Sequence, residues 1–216
     1  MHITLPAHVH MAQIDGDLVF LDARRNQYSC VARGGAASVY AALGDGAGAA
    51  QGDPVVAEMM RDGLVLPGRA GGAWTPLARA APHTDFHQIG VPDLEAGLGS
   101  CLKLGAAATA GWLQSVRARP EAWLSRARGR SEGMAVRAAS LALQFDRLRP
   151  YFPYSGRCLP SSIMLLAFLR RHGIEADWVF GVRTFPFDAH CWVELDGVVL
   201  NDVLEHVGWF TPIAAS

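Results

Sequence analysis

No apolar run in this 216-residue chain is both long and unbroken enough to cross a bilayer, so nothing in the sequence places the protein in a membrane. The first residues, Met1-His2-Ile3-Thr4-Leu5-Pro6, carry neither the basic region nor the apolar stretch of a secretory signal, and a cytoplasmic protein is expected. Cysteine is scarce. Cys30, Cys101, Cys158 and Cys191 are scattered, without the close pairs that hold a zinc ion or frame a small secreted fold, so reduced thiols and no metal are expected. An excess of either charge is also missing: 19 basic residues meet 20 acidic ones, and a net charge of -1 excludes a general nucleic-acid binder. Apolar side chains are abundant, at 50% of a chain long enough to bury a substantial core and to form more than one small domain.

The first part of the chain alternates between strand-like runs and turn signals. His8 to Ile14, Leu18 to Ala23 and Gln27 to Val31 read as three strands, separated by Asp15-Gly16-Asp17 and Arg24-Arg25-Asn26. Two short helices follow, Ala36 to Leu43 and Pro54 to Asp62, with a Gly/Ala-rich segment from Gly44 to Gly52 between them. The order is that of a small winged-helix-like domain over residues 1–75. A winged helix raises the possibility of DNA binding, but the second helix sets one Arg against Glu58 and Asp62, a poor match to phosphate.

From Pro67 to Pro92 the chain is rich in Gly, Ala and Pro with little periodicity, which predicts a linker over 76–92 and a second domain over 93–216. Asp93 to Arg128 reads as helical pieces broken near Gly105, Gly111 and Pro120. Met134, Ala138, Leu141, Phe145 and Leu148 repeat at helical spacing and form a packing face that must end before Pro150. No cofactor is expected from that stripe. Trp112 and Trp123 read as packing residues, and Tyr151-Phe152-Pro153-Tyr154 as a candidate cleft lining.

The chemistry is concentrated near the C-terminus. Cys158 opens an apolar helix, with Pro160 in its first turn and Gly173 as a stop. A thiol attacks carbonyl carbon as the thiolate, and a helix N-terminus beside a histidine favours that form. His190 and Asp202 then lie on two consecutive strand-like runs, the types and order of a cysteine nucleophile with its base and orienter. Singly, each has an ordinary structural reading: a small core Cys, a satisfied strand His, a turn Asp. Cys191 falls on the opposite face of its strand from His190 and reads as core, as do Cys30 and Cys101.

Strand register tests whether His190 and Asp202 can meet. A two-residue loop at Asp196-Gly197 would set Asp202 opposite Cys191, on the wrong face for His190. A three-residue loop Leu195-Asp196-Gly197, with Gly197 left-handed in a G1 bulge, pairs Glu194 with Val198 and puts Asp202 across from His190. The bulge and a positive φ at Gly197 are therefore the expectation.

Cys158-Leu159 with Ser161-Ser162, Gly181-Val182, Pro186-Phe187, and Ala189-His190-Cys191-Trp192-Val193-Glu194 followed by Asp202 resemble the transglutaminase-like leader peptidases of lasso-peptide biosynthesis, the B proteins of those clusters. Cys191 stands where that family suggests Ala. The N-terminal element order resembles the RiPP recognition element that precedes many of these peptidases. The resemblance implies an α+β chain, with a winged-helix-like three-stranded domain before a papain-like transglutaminase fold. It further implies that Cys158 attacks the bond joining leader to core in a precursor peptide, that His190 is the base, and that Asp202 orients it. An ATP-dependent macrolactam synthetase related to asparagine synthetase would then close the ring. The leader would add as a strand near Gln27, Tyr28, Ser29 and Val31, opposite Val55 and Met59 of the second helix. The rivals are a transglutaminase-like acyltransferase or amidase with the same triad, and a non-catalytic peptide-binding scaffold.

Overall fold

A computed structural model of the chain describes residues 1–44, 48–50, 52–69, 74–90, 99, 102, 104–106, 109, 120–124, 133–151 and 157–216. The chain divides into two compact units, Met1–Ala78 with Arg119–Glu121, and Arg79–Ala118 with Ala122–Ser216. Most of the helical reading over 93–128 lies outside the described residues, as do Cys101, Trp112, the Trp123 side chain and Phe152 to Tyr154.

In the first unit, β1 (Ile3–Thr4) pairs with β5 (Leu66–Pro67), a two-residue ladder too short to signal itself in the sequence. Strands β2 (Val9–Ile14), β3 (Asp17–Asp22) and β4 (Gln27–Val31) form an antiparallel sheet in the order β2-β3-β4. Ile14 faces Asp17 across Asp15-Gly16, both at positive φ, a type I′ turn whose twist suits the strands. Helix α1 (Arg33–Leu43) begins three residues before its expected start. Helix α2 (Pro54–Arg61) starts where Asp53 accepts hydrogen bonds from the Val55 and Val56 N–H groups, with Pro54 in the first turn. Phe20, Leu18, Met11, Val39, Val56 and Met59 share one core.

The second unit is built on a mixed five-stranded sheet in the order β10 (Thr211–Ala215), β7 (Asp177–Arg183), β8 (Asp188–Leu195), β9 (Val198–Val199), β6 (Thr84–Asp85). After the short α3 (Glu121–Leu124), α4 (Ala135–Leu148) buries Ala138, Leu141 and Phe145 of the stripe and stops before Pro150. Phe145 meets Phe168 of α5 (Cys158–Arg171) at 6.5 Å between ring centroids. Every α5 residue from Ser161 to Leu169 is buried, as its apolar sequence requires, and α5 packs on β8. The chain closes through α6 (Leu204–Val207) and β10.

The expected linker over 76–92 is a correction, because much of it belongs to the second unit. Thr84 and Asp85 run parallel to β9, and Phe86 is buried. Arg79 forms ion pairs with Asp177 (3.1 Å) and with the buried Glu194 (2.9 Å), which also accepts from Trp192 Nε1. Low periodicity concealed this because a two-residue strand and a single ion-pairing Arg leave no repeating pattern.

The G1 bulge is a second correction. Leu195 pairs with Val198 and Glu194 with Val199, so the loop is the two residues Asp196-Gly197, at φ 50 and 78, a type I′ turn. The positive φ at Gly197 is observed, but the register is the one that should have turned Asp202 away from His190. A Cβ at Gly197 would also come within 2.4 Å of His83 Nδ1. Gly197→Val should therefore lower stability by at least about 1 kcal/mol, as strain in a left-handed position implies. Thermal or urea unfolding checks this, and an unchanged midpoint would show that the turn tolerates a branched residue.

Candidate active site

Asp202 reaches His190 because β9 stops short. Leu200 N–H still donates to Val193 O at 2.8 Å, continuing the ladder by one bond. The reciprocal bond changes partner: Val193 N–H donates to the Asn201 side-chain Oδ1 at 2.8 Å. Asn201 Nδ2 donates in turn to Ser162 Oγ of α5 at 3.0 Å. With Asn201's carboxamide in place of a backbone carbonyl, the chain leaves the sheet at Leu200–Val203, and strand alternation no longer governs Asp202. His190 Nε2 lies 2.5 Å from Asp202 Oδ2. That bond leaves Nδ1 for Cys158, which together with Asp202 raises the pKa of the imidazole.

Cys158 is the first residue of α5, and its N-cap, Arg157, makes no side-chain capping bond, so the positive end of the helix lies open at the sulfur. The cleft around it has a volume of about 300 Å³ and is walled by Phe86, His87, Arg149, Arg157, Val203 and His206. Of the expected cleft lining at 151–154, only Tyr151 is described, and it is exposed.

Cys191 is core, as its place in the strand implies, on the face opposite His190. Its thiol also acts on Cys158, lowering that residue's pKa more than any other neighbour does. Ser162 Oγ sits 3.9 Å from Cys191 Sγ and 3.4 Å from the Cys191 carbonyl oxygen. No pattern in the sequence distinguishes a thiol that fills a core from one that touches a nucleophile.

These contacts set the charge states. The hydrogen bond from Cys191, above all, with the hydrogen bond and charge of His190, holds the Cys158 pKa down to about 4 against the burial that pushes it up. Burial depresses His190, but Asp202 and then Cys158 together outweigh it and raise the imidazole to about 9. Burial pushes Asp202 up, and the hydrogen bonds from His190, His206 and the Val203 N–H bring it below the ordinary carboxylate range. Between about pH 4 and about pH 9, thiolate and imidazolium coexist as an ion pair.

His206, to which the sequence reading assigned no role, completes the cluster. Its Nδ1 lies 3.0 and 2.9 Å from the two Asp202 oxygens. Among the described residues, His190, Asp202 and His206 are the one group able to offer three ligand atoms to an ion, within 4.8 Å of one another. Hydrogen bonds already join all three.

Gly181 faces His190 directly across β7 and β8. A Cβ there would come within 2.7 Å of the Trp192 ring and 2.8 Å of Phe210 Cβ, two residues whose rings, with that of His206, pack against the His190 imidazole. In the first unit, Gln27 and Ser29 are exposed on β4, Tyr28, Val31 and Val55 are half-buried, and Met59 lies inside the core.

A family model described as the transglutaminase-like superfamily matches residues 101–215. The chain is similar to the microcin J25-processing protein McjB of Escherichia coli, 45% identical over 49 residues, which is 23% of this chain and 24% of that protein. It therefore spans about a quarter of the length of the curated relative it matches. No solved structure matches.

The rate of Cys158 alkylation by iodoacetamide should rise through about pH 4 and stay high through neutrality. Cys191→Ala removes the thiol donor and should move that rise to higher pH, whereas Cys191→Ser keeps a donor and should move it less. A profile rising only near pH 8 to 9 in the unaltered protein would mean that no ion pair forms.

Proposed function

The chain belongs to the transglutaminase-like superfamily, and on that premise we propose that it is a cysteine endopeptidase that removes the leader from a lasso-peptide precursor before macrolactam formation. The observation that carries the reading is the convergence of Cys158, His190 and Asp202 in one cleft, the thiol at a helix N-terminus and its pKa drawn down to about 4. The likeness to a microcin-processing protein supports the choice of substrate.

In this reaction the Cys158 thiolate attacks the carbonyl carbon at the leader–core junction, and the backbone N–H of Cys158 helps hold the oxyanion. His190, already protonated, gives its proton to the departing core amine as the C–N bond breaks. The leader remains as a thioester on Cys158. His190, now neutral, takes a proton from water, the hydroxide attacks the thioester, and leader carboxylate leaves with the thiolate restored. Asp202 holds the imidazole with Nε2–H towards itself and Nδ1 towards sulfur throughout. The residues assigned to these steps need no metal or cofactor. The core amine released is the nucleophile an ATP-dependent, asparagine-synthetase-like macrolactam synthetase requires.

The leader is held by the first unit. Strand β4 is one edge of the three-stranded sheet among the described residues, with Gln27 and Ser29 exposed on it, and an added strand would pair along that edge. Of the helix candidates, Val55 offers partial surface, while Met59 supports the fold from within.

Cys158→Ala should abolish leader removal while leaving leader affinity unchanged, since attack and recognition reside in different units. Mass spectrometry of precursor incubated with the variant, beside a fluorescence titration with leader peptide, checks both. Cleavage at the unaltered rate would remove Cys158 from the mechanism, and loss of binding would show that the units do not divide the work.

A further inference from the structure

Asp202 is shared. Its Oδ2 lies 2.5 Å from His190 Nε2 and 2.9 Å from His206 Nδ1, and its Oδ1 lies 3.0 Å from the same His206 nitrogen and 2.8 Å from the Val203 N–H. A carboxylate held by a single imidazole can rotate about its own bond and exchange that partner for water. Two further donors, from the backbone and from a second ring, fix its plane.

His206 is itself held in place. It sits on α6, a single turn whose first N–H, that of Leu204, donates to Asp85 Oδ2 at 3.0 Å. Asp85 is 2% exposed and also accepts from the His87 and Gln88 N–H groups and from Gln88 Nε2. The His206 ring stands edge-on to Trp209 at 88° and to Phe210 at 89°, with centroids 5.2 and 5.4 Å away. Arg183 lies over both of those aromatic rings. A surface histidine needs neither an aromatic clamp nor a buried carboxylate anchoring its helix. With Nδ1 donating to Asp202, the ring is fixed in one tautomer, and His206 lines the same cleft as Cys158.

We propose that His206 is a positioning residue for the triad, donating a second imidazole N–H to Asp202 so that the carboxylate stays ionised and aimed at His190. The role rests on the peptidase reading for its purpose but not for its test, because the thiolate–imidazolium pair can be observed without any substrate. The charged and titratable groups around His206 are Asp202 and His190 at the hairpin, Asp85 at the foot of its helix, Arg183 beyond the rings, and Glu205 on α6 itself. Of these, Asp202 and His190 couple it to the sulfur. Without the His206 donor the Asp202 carboxylate can turn away from His190 Nε2 and exchange that partner for water, and the lost hydrogen bond lowers the proton affinity of His190. A less basic His190 in turn supports the thiolate less. The pH range of the ion pair should narrow from both ends.

The experiment follows iodoacetamide alkylation of Cys158 against pH, with the ¹⁵N resonances of His190 followed in the same variants. In His206→Ala the rise in alkylation should move up, and the His190 titration down, each by about one pH unit. His206→Asn, whose side-chain N–H can replace Nδ1–H, should restore most of both shifts while lacking the ring. In an Asp202→Asn background, His206→Ala should change neither. Unchanged profiles in folded His206→Ala would overturn the proposal, and so would an equal shift in the Asp202→Asn background, since His206 would then act other than through the carboxylate. Should His206→Ala fail to fold, the Asn variant decides: a profile like the unaltered protein's supports the donor role, and a shift as large as one pH unit opposes it. Failure of the unaltered protein to cleave precursor, with these profiles as expected, would count against the peptidase reading alone.

Discussion

A carboxylate half-buried between two imidazoles is stable only while each of its lone pairs has a donor, and the arrangement of the second unit around Asp202 meets that requirement. His190 approaches from β8, His206 from α6 and the Val203 N–H from the connecting turn. A negative charge so placed holds the His190 pKa up beside Cys158, and the imidazolium, after the Cys191 thiol, draws the Cys158 pKa down. The charge state of the thiol at the start of α5 thus depends in part on a carboxylate one imidazole removed from it. The dipole of α5 alone would be a weaker support, since such effects are typically below about 1 kcal/mol at exposed helix ends.

The same site depends on the sheet coming to an end. Had β9 continued, strand alternation would have carried Asp202 to the face of Cys191. The Asn201 carboxamide satisfies Val193 N–H and reaches Ser162 on α5, so the backbone can turn away without leaving a buried donor unpaired. Ser162 also lies beside the carbonyl and thiol of Cys191. One polar network thereby joins the end of the hairpin, the strand bearing His190 and the helix bearing Cys158. Polar groups in a core are costly unless paired, and here the pairing fixes where three functional side chains stand relative to one another.

Much of the architecture was legible because it repeats. The Met134–Leu148 stripe, the apolar face-to-face run of α5 and the three N-terminal strands each carry many residues that report the same periodicity, and the structure differs from them by a few residues at the ends. The segment from 76 to 92 carries no such repetition. Arg79 and Asp85 matter through single contacts, with Glu194 and with the Leu204 N–H, and a single contact has no period.

From the sequence alone followed the candidates for the reactive groups, because a thiol at a helix start and a histidine and aspartate after it are read by what their atoms can do. The positive φ of Gly197 followed too, because only a residue without Cβ adopts it freely. Tertiary structure decided how those groups meet. The hairpin took a two-residue turn rather than a bulge, and Asp202 arrived at His190 through a side chain substituting for backbone at Asn201. It likewise decided that Cys191 acts on the Cys158 thiol and that His206 shares Asp202 with His190. Register arithmetic assumes that a strand continues, whereas where a strand stops depends on which polar side chain from elsewhere in the fold takes over its hydrogen bonds.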